Sequence, residues 1–173
     1  MEELELISRA RSHRKAIAFR SGLEEVDYDT VLGRSESIAA ALLAEVDDLE
    51  ESRVAFLVPP GPDYSEVQWG IWRAGGIAVP LCLSATQSEW EYTLSDAQVD
   101  TLVVASSMAE KIQALADRLQ IRLIRTDDIS ESEARSLPEL KGERRAMILY
   151  TSGTTSKPKG VVTTHANIQA QIE

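Results

Sequence analysis

The chain has 173 residues, 43% of them hydrophobic and 27% charged, with a formal net charge of −10. That length supports a domain with its own core, and the balance of apolar and charged residues marks a soluble globular class. A surface this negative argues against general nucleic-acid binding and against docking on an anionic membrane, but not against a local nucleotide site.

The first residues, Met1-Glu2-Glu3-Leu4-Glu5, are acidic and then amphipathic, unlike a secretory signal or transit peptide. No apolar run reaches the length of a membrane span, so a cytoplasmic location is expected. Leu4, Leu6 and Ile7 give residues 3–10 the pattern of a short amphipathic helix. Residues 15–20 alternate, with Ile17 and Phe19 on one face, as in a strand. Ser21-Gly22 forms a turn, and residues 24–27 return as a partner strand. Residues 28–45 then read as a helix, with Val31, Ser35, Ile38, Leu42 and Val46 on one stripe. Asp47-Asp48 and Glu50-Glu51 read as an acidic, solvated turn.

Residues 53–58 form an apolar run that suits a strand covered on both faces. Pro59-Pro60-Gly61-Pro62 stops it. Asp63 and Glu66 have capping-box spacing for the next helix, which Gly75-Gly76 closes. Ile77 to Leu81 is the next strand, and Pro80 marks its end or a sheet edge. Thr86 with Glu89 predicts a second capping box, before a helix carrying Trp90 and Leu94. Residues 100–105 give a third strand. Ser107 with Glu110 repeats the cap spacing ahead of a helix with Ile112, Leu115 and Leu119. Residues 121–124 give a fourth strand. This alternation predicts an α/β fold with a largely parallel sheet flanked by helices. Residues 126–145 read as an exposed connection with one helical turn over 132–137. The tryptophans read as packing residues, and Cys82 as an inert small residue.

The most informative stretch runs from Tyr150 to Val161. It follows the apolar segment Ala146 to Leu149 and precedes Val161-Val162, read as a second buried strand. Between them stand Thr151, Ser152, Thr154, Thr155 and Ser156, with Gly153, Gly160, Lys157 and Lys159. Hydroxyls and backbone N–H groups donate to phosphate oxygens, glycines allow close approach, and a lysine adds charge. The stretch therefore reads as a phosphate cradle. It is not a P-loop NTPase motif, because Pro158 and Gly160 break the spacing and a strand follows instead of a helix. No dinucleotide fingerprint follows the strand at 53–58. Thr163-Thr164-His165-Ala166-Asn167 opens a helix with a Thr near its N-cap, and Ile168 and Ile172 are one turn apart on it. The lone Cys82 excludes an intrachain disulfide, and His13 and His165 form no visible metal cluster.

The stretch resembles the phosphate-loop signature of adenylate-forming enzymes, roughly [YF]-T-S-G-[ST]-T-G-x-P-K-G-V. It departs only at Ser156, where that family has Gly. Tyr28 to Leu32, Arg53 to Leu57, Trp72 to Leu81 and Thr163 to Asn167 are similar to further family segments in the same order. The resemblance implies activation of a carboxylic acid by ATP as an acyl-adenylate, then thioester formation with coenzyme A, with Mg2+ as the metal. It assigns Thr151, Ser152, Gly153, Thr154, Thr155, Ser156 and Lys159 to the ATP phosphates. It assigns no catalytic or metal-binding residue to this chain.

By the same resemblance, Lys157 stands at a variable position and is a solvated charge. His165 is either a satisfied helix-end residue or a substrate-side group. The expected organisation is an α/β unit over 1–145 and a phosphate-loop unit over 146–173. The family's later motifs are missing, and the chain ends inside a helix without a cap, so it reads as the front part of a longer enzyme, inert without its C-terminal part. An acyl-CoA synthetase is the first reading. An amino-acid or aryl-acid adenylation domain and a non-catalytic phosphate-binding fragment remain as alternatives.

Overall fold

The computed structural model describes residues 4–130, 136–151 and 157–172. Its centre is a six-stranded sheet built from β3 (Arg53–Leu57), β4 (Ile77–Pro80), β5 (Thr101–Val104), β6 (Arg122–Arg125), β7 (Arg145–Thr151) and β8 (Lys159–Thr164). The spatial order is β6-β5-β3-β4-β7-β8. All neighbours run parallel except β7 and β8, which form an antiparallel hairpin. A separate two-stranded sheet pairs β1 (Ile17–Ser21) with β2 (Glu24–Asp27).

Period-two alternation sorts the strand side chains between two cores. Val54, Phe56 and Val58 face α1 (Glu5–Ser12), α2 (Tyr28–Leu42) and α3 (Pro62–Arg73). Ala55 and Leu57 face α4 (Gln87–Asp96) and α5 (Ser106–Leu119), together with Val79, Leu102 and Val104. The fold is thus α/β, with a mostly parallel sheet covered by helices on both faces. Helix α6 (His165–Ile172) follows β8.

Local chemistry explains most boundaries. Asp27 caps α2 by accepting from the Thr30 N–H at 2.9 Å. Thr86 and Glu89 form the predicted capping box reciprocally. Thr164 caps α6, its hydroxyl accepting from the Asn167 N–H while its own N–H donates to Asn167 Oδ1. Helix α3 ends on Ala74, and Gly75 follows at φ 81°, where a side chain would be strained.

Several expectations need correction. Helix α2 stops at Leu42, and Val46 lies outside it with 46% exposure. The Asp63–Glu66 capping box does not form, because Gly61 is the N-cap and Pro62 takes the first helical position. The Ser107–Glu110 cap does not form either: Ala105 is the N-cap of α5. Pro80 ends β4, but that strand is internal, between β3 and β7. The connection after β6 is not wholly exposed, since Ile129 and Leu140 enter the α1–α3 core. It holds a 3-10 turn at Thr126–Asp128, whereas most of the turn expected over 132–137 lies outside the described residues. Strand β8 is not buried: Val161 and Val162 are 48% and 50% exposed, because β8 is the sheet edge.

Candidate functional site

The β7–β8 hairpin carries Thr151 and Lys159, two of the residues expected to bind phosphate. Strand β7 is parallel to β4, so its last residue, Thr151, reaches the carboxyl edge of the sheet, where α/β folds place ligands. Thr151 pairs with Lys159 across the hairpin, and both are exposed. Directly opposed residues of an antiparallel pair share a face, so a hydroxyl and an ammonium stand side by side at that edge. Among the described residues, no carboxylate pairs with Lys159. Ser152, Gly153, Thr154, Thr155 and Ser156 lie outside the described residues.

Helix α4 touches strand β7 and the residue just before β8. The Tyr150 hydroxyl donates to Asp96 Oδ2 at 2.6 Å, and the Tyr92 hydroxyl donates to the Pro158 carbonyl at 3.0 Å. The Tyr92 and Tyr150 rings meet edge-on, with centroids 6.3 Å apart. Burial and then the Asp96 carboxylate push the Tyr150 phenol well above its ordinary pKa. Lys157 is exposed but not simply solvated, because its Nζ lies 5.4 Å from the centre of the Tyr92 ring. Gly160, opposite Tyr150, leaves room for that ring: a Cβ here would stand 2.9 Å from Ile148 Cγ2 and 3.2 Å from Tyr150 Cζ.

The other end of the hairpin is anchored by charge. Arg144 makes a two-pronged contact with Asp48 at 2.7 and 2.8 Å and donates to the Gly75 carbonyl at 2.9 Å. Arg145 grips Glu51 through its N–H and its guanidinium. The arginine hydrogen bonds hold both carboxyls below the usual range. The acidic turn is therefore an anchor for β7 and not a free solvated loop. Such anchoring matters because β4 and β7 share a single ladder pair, Ala78 with Met147.

His165 belongs to this anchored end. It follows Thr164, which pairs with Arg145, so a seven-residue strand of roughly 20 Å separates it from the hairpin mouth. It is 7% exposed and packs edge-on against Trp72, ring centroids 5.6 Å apart. Burial, aided by nearby Arg144, lowers its pKa to about 4. The helix-end reading fits this buried position at the start of α6. Trp72 itself donates to the Ala146 carbonyl at 2.8 Å, and Trp90 donates to the Cys82 carbonyl at 2.8 Å. The tryptophans thus fix strand ends as packing residues, while Cys82 is exposed and contacts Ser84.

The model of the AMP-binding enzyme family matches residues 6–173. The chain belongs to that family. Among AMP-binding relatives, the mitochondrial malonate–CoA ligase ACSF3 of Mus musculus is 36% identical over 152 residues. That match covers 84% of this chain and 26% of the relative, so the chain spans about a quarter of the relative's length. MatB from Rhodopseudomonas palustris shares the fold: TM-score 0.83 for the apo structure and 0.80 for the ATP-bound one, each at 24% identity. Each match covers 99% of this chain and 36% of MatB. McyG A-PCP, solved with phenylalanyl-adenylate, superposes at TM-score 0.81 and 22% identity, covering 96% of this chain and 33% of that one. Tyr92 and Asp96 escaped the sequence reading. Their one signal was the four-residue spacing that puts both on one helix face.

Proposed function

We propose that this protein is the ATP-phosphate-binding part of a ligase that activates a carboxylic acid as its adenylate and passes the acyl group to a thiol. The observation that carries the reading is Lys159 facing Thr151 at the carboxyl edge of a parallel sheet, within an AMP-binding family chain. One ammonium and one hydroxyl, both exposed, suit the oxygens of a polyphosphate. In this reading, residues 146–173 are the phosphate-binding unit, carried on the α/β unit 1–145. Ser152, Gly153, Thr154, Thr155 and Ser156 join it by sequence alone.

ATP supplies an electrophilic α-phosphorus and pyrophosphate as leaving group. A substrate carboxylate oxygen bonds to that phosphorus as the bond to pyrophosphate breaks. A thiolate then bonds to the acyl carbon and AMP departs. Lys159 and Thr151 take no proton and form no bond. They orient the β- and γ-phosphates and stabilise the charge that accumulates as pyrophosphate leaves. Among the described residues, no group of three or more His, Cys, Asp or Glu could hold a metal ion, so no step is assigned to Mg2+ from this chain.

The mouse relative's name makes malonate the first acid to test and coenzyme A the first thiol. The cytoplasm remains our proposed location, although the same name places that relative in mitochondria. Among the described residues, no helix is long and apolar enough to cross a membrane. The test is AMP release by the full-length protein, given ATP, coenzyme A and a panel of carboxylic acids including malonate, amino acids and aryl acids. Acid-dependent AMP with a matching thioester is the expected result. A folded protein that releases no AMP with any acid would overturn the proposal.

A further inference from the structure

We propose that Tyr92 and Asp96 are positioning residues that hold the two strands of the phosphate-binding hairpin at a fixed spacing. They lie one turn apart on α4, on the side of the sheet where Tyr150 packs, and period-two alternation puts the adjacent Thr151–Lys159 pair on the opposite face. Asp96 holds the strand entering the loop, through Tyr150 at 2.6 Å. Tyr92 holds the chain just before β8, through the Pro158 carbonyl at 3.0 Å. Four-residue spacing on a helix puts two side chains about 6 Å apart, close to the 4.7–4.9 Å separation of paired strands. One rigid helix face thus grips both sides of the hairpin.

Three further features belong to this clamp. The edge-on contact of Tyr92 with Tyr150 links the two grips directly. Lys157 over the Tyr92 ring ties down the residue just before Pro158. Gly160 leaves room for the Tyr150 ring across the hairpin, since a Cβ there would crowd Ile148 Cγ2 at 2.9 Å and Tyr150 Cζ at 3.2 Å. The clamp has work to do because, among the described residues, β8 is paired on one side only and β7 meets β4 at one ladder pair. Without α4, the hairpin mouth would be free to splay. Positioning of charged donors to within a fraction of an ångström decides how well they serve a transition state.

The functional half of this inference rests on the proposed phosphate role of the hairpin, whereas the structural half does not. Tyr92→Phe removes one hydroxyl and keeps the ring. Asp96→Asn keeps the shape and removes the charge that Tyr150 binds. Both are tested in the full-length protein in two arms. The first is amide hydrogen exchange of Leu149, Tyr150, Gly160 and Val161, against Ala55 and Leu102 as internal controls. About fivefold faster exchange confined to the hairpin is expected, the worth of one hydrogen bond. Unchanged hairpin exchange in both variants would overturn the clamp.

The second arm is steady-state kinetics with the acid that gives AMP release. The KM for ATP should rise about fivefold while the KM for the acid stays unchanged, and the unfolding midpoint should fall by no more than about 2–4 °C, the worth of one hydrogen bond. An equal rise in KM for ATP and for the acid would reduce the clamp to a packing contact. If the unsubstituted protein turns over no acid, the proposed function fails, and the exchange arm still decides the clamp.

Discussion

Replacing Asp48 with alanine tests how the hairpin is held to the sheet. The substitution removes two charge-assisted hydrogen bonds from Arg144, at 2.7 and 2.8 Å. It also removes the acceptor for the Glu50 N–H at 2.7 Å, in a turn where Glu50 and Glu51 both have positive φ. Arg144 keeps the Gly75 carbonyl. Hydrogen bonds to charged groups contribute about 1.5–3 kcal/mol each in favourable cases. Both side chains of this pair are partly exposed, at 20% and 27%, so the pair is worth less than the sum.

We expect a loss of about 2–3 kcal/mol, or a fall of about 5–10 °C in unfolding midpoint for a chain of this size. The assay is urea denaturation of the parent, Asp48→Ala, Arg144→Ala and the double variant. The cycle should return a coupling above about 1 kcal/mol. The acid limb should change as well. The folded-state pKa of Asp48 is depressed, so its contribution is present above the unfolded value near 3.8 and is lost as pH falls through the folded value. Asp48→Ala should therefore lose its deficit below about pH 4. A coupling under about 0.3 kcal/mol, or a deficit unchanged at low pH, would refute the anchor.

Gly75→Ala should destabilise by about 3 kcal/mol, since φ is 81° and the new Cβ would press on Asp48 Oδ1 and lie 2.9 Å from Arg144 Nη2; denaturation titration checks it. His165 is neutral when folded, with a pKa of about 4, so stability should fall as pH drops from 6.5 towards 4. That slope should vanish in His165→Gln, and NMR titration of the imidazole should give a value below 5. Glu66 is buried, with burial and Asp63 raising its pKa to about 7 and Arg34 3.9 Å away. Its folded-state contribution is complete below pH 4.5 and lost as pH rises through 7, so Glu66→Gln should gain about 1–2 kcal/mol at pH 8 and nothing at pH 4 in urea titrations.

What could be read in advance depended on the range of the interaction. The strands at 53–58 and 100–105, and the Thr86 cap, are set by patterns within a few residues, so they were legible. The spacing that succeeded at Thr86 misled at Asp63 and Ser107, because a residue just upstream already held the N-cap position. Asp48 and Glu51 resembled a solvated turn because their partners, Arg144 and Arg145, are more than ninety residues away. Nothing local in Val161-Val162 says that, among the described residues, β8 pairs on one side only. The stretch at 150–161 stood out by its hydroxyls, glycines and lysines. Its support by Tyr92 and Asp96 did not, because that contact joins separate parts of the chain.

In the proposed reaction, Lys159 neutralises charge on the departing pyrophosphate. The most direct test of that role is pyrophosphate–ATP exchange by full-length Lys159→Ala, with the acid that supports AMP release. Loss of one such positioned cation should slow exchange about a hundredfold or more, with the unfolding midpoint unchanged, since Lys159 is exposed. Exchange at the parent rate would contradict the account.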